Sequence, residues 1–458
     1  MKTIFHRAPG ALPLIGHAGH LRRRPLEFLS SLAALGDLIE IRLGRRTAYV
    51  PTHPELIWQV LVDSRTFDKG GPVFEKARYV LGNGLATCVN DDHRRQRRMM
   101  QPGFHGSRLP GYGSIMTQIV DEAISSWQDG RILDVTEAMM SITTRVAART
   151  LASTAMSETA VCEILSLYPI ITHGVYQRII APFGIAERLP TRSNHRYRNA
   201  RDRLRALVDE TIAHHHASGT YHEDLMSSLL VAQDADGSAM TVKELHDQII
   251  ILLTGEVETT GAALSWAFHL IAQHPQVEQQ LQDEADNVLA GRIATWEDLP
   301  KLPIAARVLT ESLRIWPPVW FLTRSVSYNT TLGGQPISRG SIIVFSSYII
   351  HRHPAFYAEP DNFDPDRWLP GRHEHLPRGA FVPFAAGSRK CIGHEFAMGE
   401  ATIALASISS RWKLERVPGV RVEPVPRAIL RPRALPMRIR ARGGRNHAAL
   451  PPEIPKQS

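Results

Sequence analysis

The chain has 458 residues, 43% hydrophobic and 21% charged, enough to bury a large core in one oversized domain or two ordinary ones. Its three cysteines, Cys88, Cys162 and Cys391, are too few and too odd in number for a disulfide framework and point to a reducing compartment. A net charge of +8 without a long basic tract interleaved with aromatics excludes nucleic acid as the natural partner, while local patches such as HRRQRR at 93–98 suit an acidic protein.

The first two dozen residues lack the apolar core of a signal peptide, and the densest apolar run, Ile249 to Leu253, is too short to cross a bilayer. A soluble, cytoplasmic, monomeric protein is expected. DLIEIRLG (37–44) and RTAYVPT (46–52) alternate like two strands of a hairpin. Helical patterns then dominate: PELIWQVLVD from Pro54, HRRQRRMMQPGF from His93, and a long stretch from about 113 to 217 with breaks expected at Pro169, Pro182 and Pro190. The triple histidine 214–216 reads as a solvated helix end, because consecutive residues point to different faces and make a poor metal site.

A long helix is predicted from Thr241, where T-x-x-E forms a capping box with Glu244, to just before Pro275. Its middle, IIILLTGEVETTGAAL, is apolar on nearly all sides and should run through the core. Helices follow at VEQQLQDEADNVL and IAARVLTESLRI, the latter ending at Pro317-Pro318. Strand-like runs come last: TRSVSYNTTLGG, SIIVFSSYII and VRVEPVPRAILRPRALPMRIR. The expectation is one mainly α domain with a small β portion over residues 1–441, then a disordered tail at 442–458.

FAAGSRKCIG, residues 384–393, sets Cys391 among two glycines and two basic side chains. Zinc needs about four ligands, and neither a second cysteine nor a close histidine pair accompanies Cys391. On its residues alone Cys391 could be a buried structural cysteine, or a nucleophile with a distant histidine. The spacing F-x-x-G-x-R-x-C-x-G, here Phe384, Gly387, Arg389, Cys391 and Gly393, resembles the heme-thiolate loop of the cytochrome P-450 family. Gly387 and Gly393 suit a tight turn that brings backbone amides near the sulfur, where they stabilise a thiolate.

The resemblance implies the P-450 fold, heme b bound through Cys391, Phe384 beside the ring, and Arg389 paired with a propionate. It extends to ESLR at 311–314 and FDPDRW, which make Glu311, Arg314 and Arg367 a structural triad, and to His93, Arg97 and Arg324 as further propionate partners. Arg94, Arg95 and Arg98 then face elsewhere on their helix, where a ferredoxin, supplied by its reductase, would dock. Glu258-Thr259 resembles the family's acid–alcohol pair, which conducts protons to dioxygen; on its own the threonine could simply bond back to a carbonyl one turn earlier.

Here the sequence departs from the pattern. Glu256 stands where the family usually has glycine, and Gly255 is expected to supply the flexibility while Glu256 turns to a polar partner or water. Val73, Phe74, Ile251, Leu252, Gly255, Glu256, Ala263, Val319, Trp320, Phe321 and Leu322 are candidates to line an apolar substrate pocket.

The chain is most similar to bacterial terpene-oxidising members, which implies hydroxylation of a small hydrophobic, terpene-like (sesquiterpene) substrate with dioxygen and two electrons. Alternatives are the same chemistry on a fatty acid or polyketide, a heme-thiolate peroxygenase or isomerase, and, outside enzymes, a heme-based gas sensor or carrier.

Overall fold

The computed structural model describes residues 3–44, 46–153, 155–180, 189–218 and 223–443, so the expected tail from 444 on and Pro182 lie outside the described residues. The fold is mainly helical with small sheets. Its axis is the helix Val242–Ile271, opened by the expected capping box: Glu244 N donates to Thr241 Oγ at 3.2 Å and Thr241 N to Glu244 Oε2 at 2.9 Å. Helices Val135–Ala152, Pro303–Ile315, His394–Arg411 and Arg192–Ser218 pack around it, which is why its sequence is apolar on nearly every face. Near its C-terminal end the rings of Trp266 and Trp316 stack 4.2 Å apart.

The expected hairpin is Leu38–Leu43 against Arg46–Pro51, antiparallel. It belongs to a six-stranded sheet in the order Phe5–Arg7, Leu38–Leu43, Arg46–Pro51, Ile342–Phe345, Leu322–Val326, Phe67–Asp68. Strands from the two ends of the chain thus share one sheet. The second half of SIIVFSSYII is not strand: Ser346 caps a helical turn, Ser347–Ile350.

Other expectations are corrected. Pro169 does not break the helix Glu158–Ile180 but lies inside it, since packing on Arg192–Ser218 and Gly71–Leu81 outweighs one lost backbone bond. A strand unforeseen in mid-chain, Ile132–Asp134, pairs with the C-terminal strand Pro436–Ala441, which also pairs with Trp412–Arg416. His214 and His216 are exposed as expected, but His215 is buried, with Nε2 3.3 Å from the carboxylate of Asp224 and from Ser227 Oγ. Asp224 caps the short helix Leu225–Leu230, so this histidine clips two helices together.

Among the described residues no helix is long and apolar enough to cross a membrane.

Candidate functional site

The loop before helix His394–Arg411 is built by unusual backbone geometry. Ala385 adopts a left-handed φ of 55° and Gly387 one of 66°. Gly387 is obligatory, because a Cβ there would lie 2.5 Å from the Leu61 carbonyl oxygen. Cys391 N donates to the Phe384 carbonyl at 2.9 Å, closing the loop, and the Phe384 ring meets His394 edge-on at 6.1 Å. Gly393, by contrast, has an ordinary φ of −93°, and a Cβ there would make only an ordinary contact with Phe104. Its N–H bonds to the Cys391 sulfur, a contact any residue's amide could supply.

Ala385 has no such excuse for its conformation, and Ala385→Gly is expected to stabilise the protein by about 0.5–1 kcal/mol, read as a raised urea midpoint.

The side chain of Cys391 remains accessible although protein surrounds the sulfur. Burial pushes its thiol up, opposed by the Gly393 amide and then by the charges of Arg97, Lys69 and Lys390. These are part of a crowd of basic groups. His93, 3% exposed, is held down to about 3 by burial and by the charges of Arg389, Lys69, Arg97 and Arg324. Lys69 is lowered to about 7 and Arg324 to about 10, each by burial first and neighbouring arginines second. Arg324 donates to the Thr323 carbonyl at 2.8 Å, and its guanidinium lies 5.5 Å from the Phe345 ring. The acid recorded among them is Asp68, 2.5 Å from Arg389. Arg389 also donates to the Cys88 carbonyl at 2.9 Å, which leaves its buried Nε without a partner. So Arg389 is pinned chiefly by protein, and its expected freedom to meet a ligand is reduced to that one N–H.

Arg97, Arg324 and Arg389, with Lys69, crowd around the one carboxylate of Asp68 and are costly unless an anion joins them. The two carboxylates of heme b supply that charge, so the residues present fit the group.

Glu311 and Arg314, both fully buried, form a two-pronged ion pair with two bonds of 2.8 Å. Arg314 spends its other donors on the carbonyls of His351 (2.9 Å), Pro360 (2.6 Å) and Asn362 (3.0 Å). Arg367 joins Glu311 at a longer 3.4 Å, and Trp368 Nε1 makes a better bond to it at 2.8 Å. His351 in turn accepts from Val382 N at 2.9 Å, the start of the cysteine loop. The sequence reading missed Trp368 and His351, whose roles depend on contacts far apart in the chain.

On the central helix Thr259 Oγ donates to the Gly255 carbonyl at 2.6 Å, the back-bond open at the sequence level, and the helix is regular there. Glu258, 6% exposed, is pushed up to about 7 by burial, opposed by Arg431, Thr172 and Arg427. None of these three was anticipated, since two come from the hairpin Pro424–Pro426/Leu430–Pro432 region and one from helix Glu158–Ile180. Gly255 is exposed, and a Cβ on it would meet nothing within 4 Å. Glu256 has a buried Oε1 with no hydrogen-bond partner, and, on top of burial, its charge pushes up both Glu400 of helix His394–Arg411 and, after Glu258, Tyr168 of helix Glu158–Ile180.

The pocket candidates divide. Val73, Leu252, Val319, Phe321 and Leu322 are half-buried, and Phe74 and Ala263 buried. Trp320 is a core residue: it packs with Leu29, Leu32 and Tyr176, and its indole N–H is bonded to the Arg427 carbonyl at 2.8 Å. Ile251 is likewise buried, close to Gly84.

The basic face is also less free than expected. Arg95 pairs with Glu244 at 2.5 Å, Arg98 with Asp234 at 3.0 Å and Arg94 with Asp91 at 2.5 Å. Arg94 and Arg98 nonetheless stay more than half exposed, at the rim of an open depression of about 870 Å³ that reaches in to His93 and Arg97.

The family profile described as Cytochrome P450 matches residues 7–437. The chain belongs to the cytochrome P450 family. It is similar to cyclooctatin synthase of Streptomyces melanosporofaciens, 46% identical over 92% of this chain and 93% of that protein. Cyclooctat-9-en-7-ol 5-monooxygenase of the same organism is 46% identical over 90% of each chain, and pentalenene oxygenase of Streptomyces avermitilis 42% identical over 95% and 97%. The crystal structure of the cytochrome P450DA heme domain superposes with a TM-score of 0.86 at 23% identity, covering 96% of this chain and 99% of that one, which establishes the P450 fold. This P450 is a monooxygenase with a heme-thiolate cofactor, acting on a substrate with dioxygen and redox partners.

Proposed function

We propose that this P450 hydroxylates a terpene, either a hydrocarbon of sesquiterpene type or a singly hydroxylated relative. The observation that carries the reading is an exposed Cys391 residue whose thiol feels the positive charges of Arg97, Lys69 and Lys390. The printed activities of the three Streptomyces relatives support the substrate class.

Cys391 would hold the iron, and His93, Arg97, Arg324 and the Nε of Arg389 the propionates. When bound, heme with a thiolate ligand supplies oxygen activation, the thiolate pushing electron density toward O–O cleavage. The protein's share is to bind the substrate by apolar contact through Val73, Phe74, Leu252, Ala263, Val319, Phe321 and Leu322, and to manage protons. Glu258, poised near neutrality, can both hold and release a proton at working pH. Thr259 sends its own hydroxyl proton to Gly255, so its lone pairs are free to accept a bond from the pocket side. Glu258→Gln is expected to lower product formation by about 100-fold at pH 7, measured as product per enzyme per minute with saturating reductant. Arg94, Arg98 and Lys390 offer exposed positive charge for an acidic ferredoxin, and the rate of reduction should fall with rising salt.

The substrate class is tested by titrating the heme protein with terpenes, monohydroxylated terpenes, fatty acids and polyketides and following the Soret band. A shift with terpenes is the expected result; shifts confined to fatty acids or polyketides overturn it.

A further inference from the structure

Where the helix Glu158–Ile180 meets the C-terminal hairpin Pro424–Pro426/Leu430–Pro432, three polar side chains come together, and none of them makes a hydrogen bond among the described residues. His173 and Tyr176 stand one turn apart and share a face of the helix. Arg427 is at the tip of the hairpin. Burial and then the Arg427 charge hold His173 below the usual imidazole range, and Arg427 opposes the rise that burial imposes on Tyr176. The guanidinium therefore lies beside both. Tyr176 is 7% exposed, and His173 keeps a buried Nδ1 without a partner. Arg427 is half-buried and forms no ion pair; burial comes first among the influences that lower it, followed by Arg431 and Arg433, while Glu258 and Tyr176 act the other way.

The tip cannot swing away to find water. Trp320 Nε1 donates to the Arg427 carbonyl at 2.8 Å, Leu430 N to the Pro318 carbonyl at 2.9 Å and Trp266 Nε1 to the Leu430 carbonyl at 3.1 Å. Tyr176, Trp320 and Leu430 belong to one packed cluster with Phe321 against it, so the polar trio adjoins an aromatic side chain of the apolar pocket. A hydrocarbon pressed against these groups would strip their water and return no bond. A hydroxyl group matches them, because it accepts through oxygen and donates through its proton.

We propose that Arg427, His173 and Tyr176 form a subsite for a hydroxyl group already present on the substrate, so that this P450 oxidises a terpene alcohol in preference to the parent hydrocarbon. Arg427 and the Tyr176 hydroxyl donate to the substrate oxygen, and the His173 imidazole accepts its proton. The reaction that supplies such a substrate must leave oxygen on the carbon skeleton: an earlier hydroxylation, or a cyclisation closed by water. The product then carries two oxygen functions. The terpene skeleton rests on the reading given above; the demand for a hydroxyl rests on these three side chains.

The test titrates the heme-loaded protein with matched compounds and follows the Soret band: farnesene, farnesol and farnesoic acid; cedrene and cedrol; and, outside terpenes, dodecane, dodecanol and dodecanoate. The native protein should bind an alcohol about tenfold to a hundredfold more tightly than its parent hydrocarbon. Arg427→Gln and His173→Phe should each reduce that preference by about tenfold and leave hydrocarbon affinity unchanged, while Arg427→Lys keeps part of it. In turnover the KM for the alcohol should rise with kcat nearly native. Replacing the Arg427 side chain leaves the carbonyl that holds Trp320, and the reduced carbon-monoxide spectrum reports an intact heme site; if a variant at 427 fails to load heme, His173→Phe decides. Equal native affinity for alcohol and hydrocarbon overturns the subsite, as does native preference in the variants. Tighter binding of the acids than of the alcohols replaces the hydroxyl with an anion and overturns the proposal. An alcohol preference confined to the dodecyl set upholds the subsite and overturns the terpene skeleton, whereas no Soret shift with any of these compounds overturns both.

Discussion

Arg314→Ala is expected to destabilise the protein by about 3–5 kcal/mol, and the variant should be recovered mainly unfolded or free of heme. The substitution leaves Glu311 as a buried charge stripped of its two-pronged partner. It also strips the carbonyls of His351, Pro360 and Asn362 of their donor. Lysine should not rescue it, because one ammonium cannot make the forked contact with Glu311 while reaching three carbonyls. Replacing Arg367 should cost much less, since its bond to Glu311 is long and Trp368 and Asp364 N hold the same carboxylate. Denaturant midpoints and heme content for the two variants measure the contrast; equal losses would show that the triad acts as one unit.

Cys391→Ser is the second large effect, and it acts on spectrum and activity, not on the fold. The loop closes through the backbone of Cys391 to Phe384, so a serine fits the same path. What goes is the thiolate. The reduced, carbon-monoxide-treated variant should lack the long-wavelength Soret band that thiolate ligation produces, and oxygenation should be abolished while far-ultraviolet circular dichroism stays native. Retention of that band would remove Cys391 from the iron.

Much of this was legible because the motifs are local. The cysteine loop spells its own turn, with Gly387 forced by the Leu61 carbonyl, and E-x-x-R places two side chains on one helix face. The capping box at Thr241 likewise announces its helix within four residues. What escaped depends on parts of the chain that meet only after folding. Nothing near Arg389 names Asp68 as its partner, and nothing near Glu258 names Arg431. Trp320 reads as pocket and packs as core, because apolar residues serve either purpose until the burial is known. Glu400 did leave a trace: a single acid within MGEATIALASISS, a segment otherwise built to be buried. Pro169 misled, since tertiary packing carries a helix past a residue that would stop it in isolation.

The six-stranded sheet has a consequence for synthesis. Ala48 is paired with Ile342 and Phe67 with Val326, so strands made early wait for partners made late. A ribosome must add most of the polypeptide before those ladders can close, and meanwhile the Leu38–Leu43/Arg46–Pro51 hairpin presents an open, aggregation-prone flank. Slow maturation and a need for chaperone shelter during expression follow from that long-range stitching alone.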